Sequence, residues 1–287
     1  MRSCLLLISI LFFFLSSLAQ DTSSHQSIFW EVTGNGLVSP SYLYGTTHLI
    51  CKRDVIFTDT VKSKLAACKT LYREVVVSDD SVTIIQNSMS KKMTLRQIIG
   101  RNDFKRVQRF FAANSEMTDS FLNTLNVAKL SELMIEEKGR CKITSIDDEL
   151  ADLAKSDGLP IKGLESLEEH LSYDHKPSIS VQAAYVFYLL NNIDRTVLRM
   201  RKGMDLYLAG DFEKLYRMSA INSDGSKSDI AINLGEKRSK IIIPRIEDAM
   251  KDNPSFFAFG CNHLWGENGV INLLRLRGYV VRPLYYY

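Results

Sequence analysis

One pattern constrains this chain more than any other. A hydrophobic run ending in Gly-x-x-His-Leu stands near the start, in SYLYGTTHLI at 41–50, and again near the end, in FFAFGCNHLWGENGV at 256–270. Each run has the length and composition of a strand, so each histidine falls in the loop just beyond a strand's carboxyl end. In open α/β sheets that edge is where ligands bind, and glycine there allows a sharp turn or a close approach. Five histidines and fifteen glycines in 287 residues should give about 0.3 such spacings by chance, so the pair is suggestive without deciding the matter. If the two strands are neighbours, one sheet draws on both ends of the chain and two imidazoles converge on one cleft.

The intervening chain fits that arrangement. SIFWEVTGNGLVSPSYLYGTTHL reads as strand, turn, strand, with Gly34, Asn35 and Gly36 supplying the positive backbone angles of a hairpin loop. A helical segment, FTDTVKSKLAACK, is followed by an apolar strand at 70–78. From about 88 to 156 apolar residues recur every three or four positions, as helices require. GLPIKGLES then brackets a short strand, and Ser166 with Glu169 makes a capping box that opens another helix. Helices are predicted over 178–220 and near 239–252, separated by the loop INSDGSKSD. The chain closes as strand SFFAFG, helix GENGVINLLRLRG and strand YVVRPLYYY. The fold class expected is therefore α/β: a small mixed sheet built from both ends of the chain, with a large helical insertion at roughly 88–250.

Residues 1–19 have the layout of a secretory signal peptide: Arg2, an apolar stretch from Leu5 to Leu15, and small residues up to Ala19. The domain proper is then 20–287, exported to a periplasm or the extracellular space, with no membrane span after cleavage. Net charge is +3 and the basic tract RMRKG at 199–203 suits a solvated helix end, so nucleic acid is not expected as a partner. Cys51, Cys68, Cys141 and Cys261 follow the leader. In an oxidising compartment Cys51 could close a short loop with Cys68; four buried thiols are the equal alternative.

Two neutral imidazoles and a carboxylate form a usual catalytic metal site. Glu74 in LYREVVV is the first candidate carboxylate, because strand alternation puts it on a face with Tyr72 and Val76. The alternative is an edge glutamate facing water beside Arg73. Glu31 and Glu267 are further candidates, the latter also suited to the first turn of the last helix. His25, His170 and His175 fall in the leader or on helical surface and lack the motif context.

These residues together resemble the TraB/GumN family, also called TraB/PrgY/GumN, to which the Tiki proteins are related. FWEVTGNGLVSPSYLYGTTHL is similar to the family's opening Trp-Glu-x-x-Gly and Tyr-Leu-x-Gly-Thr-x-His. REVVV, IDDELADLAKSDGLPIKGLESLEEHL, YLAGDFEKLYRM and GCNHLWGENGVINLLRLRGYVVRPL carry the likeness through nearly the whole chain. The resemblance implies a metal-dependent hydrolase-like fold acting on a peptide or protein substrate. It assigns His48 and His263 as metal ligands, and Glu74 as ligand or general base. Gly45 and Gly260 become the motif turns, Arg238 a group that orients a carboxylate or steadies negative charge, and Asp147 and Glu165 acidic supports of the cleft. The Tiki relatives imply manganese or cobalt, while two imidazoles also suit zinc. The PrgY-like branch implies sequestering of small secreted peptides, and distant esterases imply a third activity. A bacterial source fits the leader. The chain departs from the pattern at Ser145, Ser239, Cys261 and Trp265, where the family has other residues.

Overall fold

The computed structural model describes residues 27–76, 93–173, 178–220 and 238–284. The proposed leader, His25, His175, the INSDGSKSD loop and the terminal tyrosines lie outside them. The chain opens with β1 (Phe29–Gly34), β2 (Ser41–Thr46) and the short β3 (Ile50–Cys51), then α1 (Asp59–Ala66) and β4 (Thr70–Val75). Helices α2 (Leu95–Phe110), α3 (Asp119–Thr124) and α4 (Val127–Gly139) follow. Next come β5 (Ile143–Thr144), α5 (Ile146–Ser156), β6 (Ile161–Glu165) and α6 (Leu167–Tyr173). The long α7 (Ile179–Leu208) and α8 (Phe212–Ala220) complete the helical middle. The end of the chain adds α9 (Ser239–Asp252), β7 (Ser255–Gly260), α10 (Val270–Leu276) and β8 (Tyr279–Pro283).

The main sheet has six strands in the order β6-β4-β7-β2-β1-β8. β6, β4, β7 and β2 run parallel, and β1 is antiparallel to both β2 and β8. Opening and closing strands thus interleave, as expected. β6, the short strand expected within GLPIKGLES, returns from the helical middle to take the sheet's edge, while β5, not foreseen in the sequence, pairs with β3 in a separate two-stranded ribbon.

Local chemistry explains the elements. Gly34, Asn35 and Gly36 all take positive φ in the β1–β2 turn. The side chain of Thr58 caps α1, and Thr94 forms a full capping box with Gln97 on α2. Asn126, Ser145 and Ser178 cap α4, α5 and α7 in the same way. β2 and β7 are buried along almost their entire length, the pattern of strands covered on both faces. Phe29, Tyr42, Tyr44 and Phe256 pack as one aromatic cluster on one face, while Tyr72 stacks on Phe257 on the other. α7 packs along α2 and α4, and the Tyr207 hydroxyl near its end donates to the Gly45 carbonyl at 2.8 Å. The helical layer is thereby tied to the strand that carries the first motif. Among the described residues no helix is long and apolar enough to cross a membrane.

The cysteines resolve differently from the pairing that sequence proximity suggested. Cys51 is bonded to Cys141, with Cα atoms 5.6 Å apart, and Cys68 is a buried free thiol. The reason is topological: β3 and β5 pair in antiparallel register, which brings Cys51 opposite Ile143 and beside Cys141. Cys68 instead ends the turn after α1, where its thiol donates to the Lys64 carbonyl.

Candidate active site

β2 and β7 are adjacent and parallel, with Thr46 opposite Gly260, so both Gly-x-x-His motifs leave the sheet at the same rim. The glycines owe their places to close approach. A Cβ on Gly45, inside β2, would lie 2.5 Å from Leu264 Cδ1 and 3.0 Å from Cys261 Cβ. A Cβ on Gly260 would crowd Glu74 Oε1 at 3.2 Å. Neither glycine has a positive φ, so close packing is what requires them: the second motif against Gly45, and the Glu74 carboxylate against Gly260.

β4 lies on the other side of β7 and brings Glu74 to the same rim. Its side chain is 12% exposed, far from the water-facing edge position that was the alternative. The Gly260 N–H donates to Glu74 Oε1 at 2.8 Å, and Arg238 Nη2 donates to Glu74 Oε2 at 2.9 Å. His263 Nε2 stands 3.7 Å from Oε1. Burial alone would raise the Glu74 pKa, but His263, Arg238 and the Gly260 amide outweigh it and hold the carboxyl at about 2. His263 is itself buried, and burial keeps its pKa below the usual histidine range despite the pull of Glu74.

Arg238, at the start of α9, is buried and shared. Its Nε and Nη2 donate to Glu165 at 3.0 and 2.5 Å while Nη2 also holds Glu74. Glu165, at the end of β6, is equally buried; its Arg238 and His170 contacts overcome desolvation and keep its pKa low. His170 was expected on helical surface away from the chemistry. It lies instead with Nδ1 3.2 Å from Arg238 Nη2 and 3.3 Å from Glu165 Oε2. The signal was present: the Ser166–Glu169 capping box forms as predicted and fixes His170 one turn beyond Glu165. Ser239, noted only as a departure from the family, is fully buried with its hydroxyl 3.3 Å from His263 Nδ1.

The first histidine sits in a different setting. The His48 side chain is 66% exposed, and its Nδ1 stands 3.3 Å from Oδ2 of Asp147, which is 4% exposed. Asp147 does not cap α5; Ser145 does, accepting from the Asp148 N–H at 3.0 Å. Burial raises the Asp147 pKa, with His48 and the Thr46 hydroxyl pulling the other way, and Oδ2 reaches no hydrogen bond of full geometry among the described residues. Glu31 stays on β1 opposite Tyr42 and Arg282, away from this group. Glu267 precedes α10 in an exposed turn and is not in its first turn, which starts at Val270 after Gly269. Cys261 is buried and its thiol is pushed up to about 12, as suits a small packed side chain. Trp265 stacks on Phe212 of α8.

Among the described residues no three His, Cys, Asp or Glu side chains stand together as a metal-holding group. The donor chemistry nonetheless suits a divalent ion: two imidazoles and two carboxylates share one rim, and one carboxylate keeps a buried oxygen without a hydrogen bond. A concavity of about 390 Å³ lined by Arg96, Arg101 and Lys105 lies between α2 and α3, on other elements than this rim.

No curated protein and no solved structure matches the chain. The model of the TraB/PrgY/gumN family matches residues 28–283, from the first residue before β1 to the last of β8. With that span covering both motifs and the strands between them, the chain belongs to the TraB/PrgY/gumN family.

Proposed function

We propose that this chain is an exported, metal-dependent hydrolase that cleaves peptides, with a divalent ion held by His48, His263 and a carboxylate. The observation that carries the reading is the delivery of both motif histidines to one sheet rim by adjacent parallel strands, with Glu74 beside them on β4. Manganese, cobalt and zinc all suit such donors. A bound divalent ion would supply polarisation of the scissile carbonyl and a water of lowered pKa. The protein's own groups then have separable parts. His263 is kept neutral by burial and oriented by Ser239, the form in which an imidazole can ligate. Glu74, held at about 2, is a poor proton acceptor near neutrality and serves as a fixed anion beside His263. Arg238 orients Glu74 and Glu165 together. Export is supported by the leader and by the Cys51–Cys141 disulfide, a bond of oxidising compartments.

A second reading, a protein that binds small peptides without cutting them, is favoured by one feature. Both oxygens of Glu74 and both nitrogens of His263 already have partners within the protein. Metal analysis of protein purified without chelator, for wild type and the His48→Ala/His263→Ala double variant, separates the two. Near-stoichiometric metal lost in the variant, with chelator-sensitive cleavage of a peptide library, is the expected result. Chelator-sensitive turnover of esters alone would move the assignment to an esterase. Peptide binding without metal or turnover would establish the sequestering reading.

A further inference from the structure

Three consecutive acids open α5, and they are not equivalent. Asp148 receives Arg73 Nη2 at 2.7 Å and the Ser145 hydroxyl at 2.8 Å. Glu149 pairs with Lys52 Nζ at 2.9 Å and accepts from the Thr144 hydroxyl at 2.8 Å. Asp147 alone turns inward, 4% exposed, beside the Thr46 hydroxyl and with Oδ2 facing His48 Nδ1 at 3.3 Å, and no arginine or lysine pairs with it as one does with its two neighbours; Oδ2 has no hydrogen bond of full geometry among the described residues. A buried carboxylate oxygen without a full hydrogen bond costs the fold stability, and such groups are found where a ligand completes them.

The position of Asp147 is firmly held. The Ile146 N–H donates to the Thr47 carbonyl at 2.9 Å, the Lys52 N–H donates to the Lys142 carbonyl at 2.8 Å, and β3 pairs with β5. The Cys51–Cys141 disulfide closes the same ribbon three residues beyond His48. The loop of the first motif and the start of α5 are thus one clip. Glu74 differs: Oε1 is taken by the Gly260 amide and Oε2 by Arg238. To ligate an ion it would have to give up one of these.

We propose that Asp147, not Glu74, is the carboxylate that joins His48 in holding a divalent cation. The inference rests on the metal-dependent reading and changes its ligand set. Glu74 and Arg238 then form the fixed wall of the site, and Asp147 with His48 its open, cation-accepting side.

The test is calorimetric titration of Mn²⁺ into chelator-free wild-type protein and the Asp147→Asn, Glu74→Gln and His48→Ala variants. Visible absorption of the Co²⁺-loaded forms reports the ligand set independently of activity. Expected is a loss of at least about tenfold in Mn²⁺ affinity for Asp147→Asn and His48→Ala, with a changed Co²⁺ spectrum, and less than about threefold for Glu74→Gln. Wild-type affinity in Asp147→Asn together with lost binding in Glu74→Gln overturns the proposal and leaves the metal reading standing. Absence of Mn²⁺ and Co²⁺ binding in the wild type overturns both. Circular dichroism reports folding. Should Glu74→Gln not fold, wild type against Asp147→Asn decides alone: a tenfold loss supports the proposal, and unchanged binding sinks it.

Discussion

The two Gly-x-x-His motifs leave the same sheet edge but enter opposite environments. His263 is buried, with Ser239 on one ring nitrogen and Glu74 near the other, inside a network of Arg238, Glu165 and His170. His48 is mostly exposed and meets a single buried carboxylate. The closed half satisfies its carboxylates internally, through Arg238 and the Gly260 amide. The open half leaves a buried oxygen unsatisfied and is braced from outside by a disulfide and the β3–β5 ribbon. Near-repetition in sequence has produced one half closed on itself by charge pairing and one open to solvent, with a buried carboxylate oxygen short of a full hydrogen bond.

The sharpest way to break this contrast is to remove the shared cation of the closed half. Arg238→Gln leaves Glu74 and Glu165 buried near each other and should cost about 3–5 kcal/mol in denaturant unfolding. A cost below about 1 kcal/mol would mean the closed half is not a stabilising network at all.

Removing the external brace should come next. Cys51→Ser with Cys141→Ser opens a loop spanning a sequence separation of 90 residues and should cost about 3–4 kcal/mol. Amide exchange at Ile146 should quicken more than at Gly260, since only the open half depends on the clip. Equal quickening at both amides would dissolve the distinction.

Acid should act on the closed half from a known side. Glu74 has its pKa depressed from 4.5 to about 2, so its stabilisation is present above pH 4.5 and is lost as pH falls towards 2, amounting to about 3 kcal/mol. His263, depressed below 6.5 by burial, adds a loss that begins as pH falls under that value. The stability gap between wild type and Glu74→Gln should therefore close on acidification; a gap constant down to pH 2 would contradict the network.

The smallest effect should have the opposite sign. The Asp147 pKa is raised above 3.8 by burial, so its ionised form weighs against the folded state near neutrality. Asp147→Asn should stabilise the metal-free protein by about 1 kcal/mol at pH 7, and the gain should vanish below pH 3.8, measured by thermal unfolding. Destabilisation instead would show that Asp147 has a structural partner in the fold.

Much of this was legible in the chain itself. The hairpin glycines, the strand runs around both motifs, the Ser166–Glu169 capping box and the helical periodicity of the middle are local signals, and local backbone chemistry honours them. So is the convergence of the motifs, because two buried strands flanking a helical insertion have few ways to share a sheet. Other pairings across long separations were not legible. Cys51 chooses Cys141 over the nearer Cys68 because β3 pairs with β5, and strand pairing is a property of the folded chain. His170 joins Arg238 because β6 returns to the sheet edge and carries α6 with it. Which of several acids keeps an unsatisfied oxygen depends on which cations reach each one, and Arg73, Lys52 and Arg238 arrive from distant segments. The sequence by itself determined the elements, the sheet's two-ended construction and the residue types at its rim. Only the tertiary structure decided which carboxylates are neutralised and which is left open, because burial and charge pairing are set by three-dimensional neighbours.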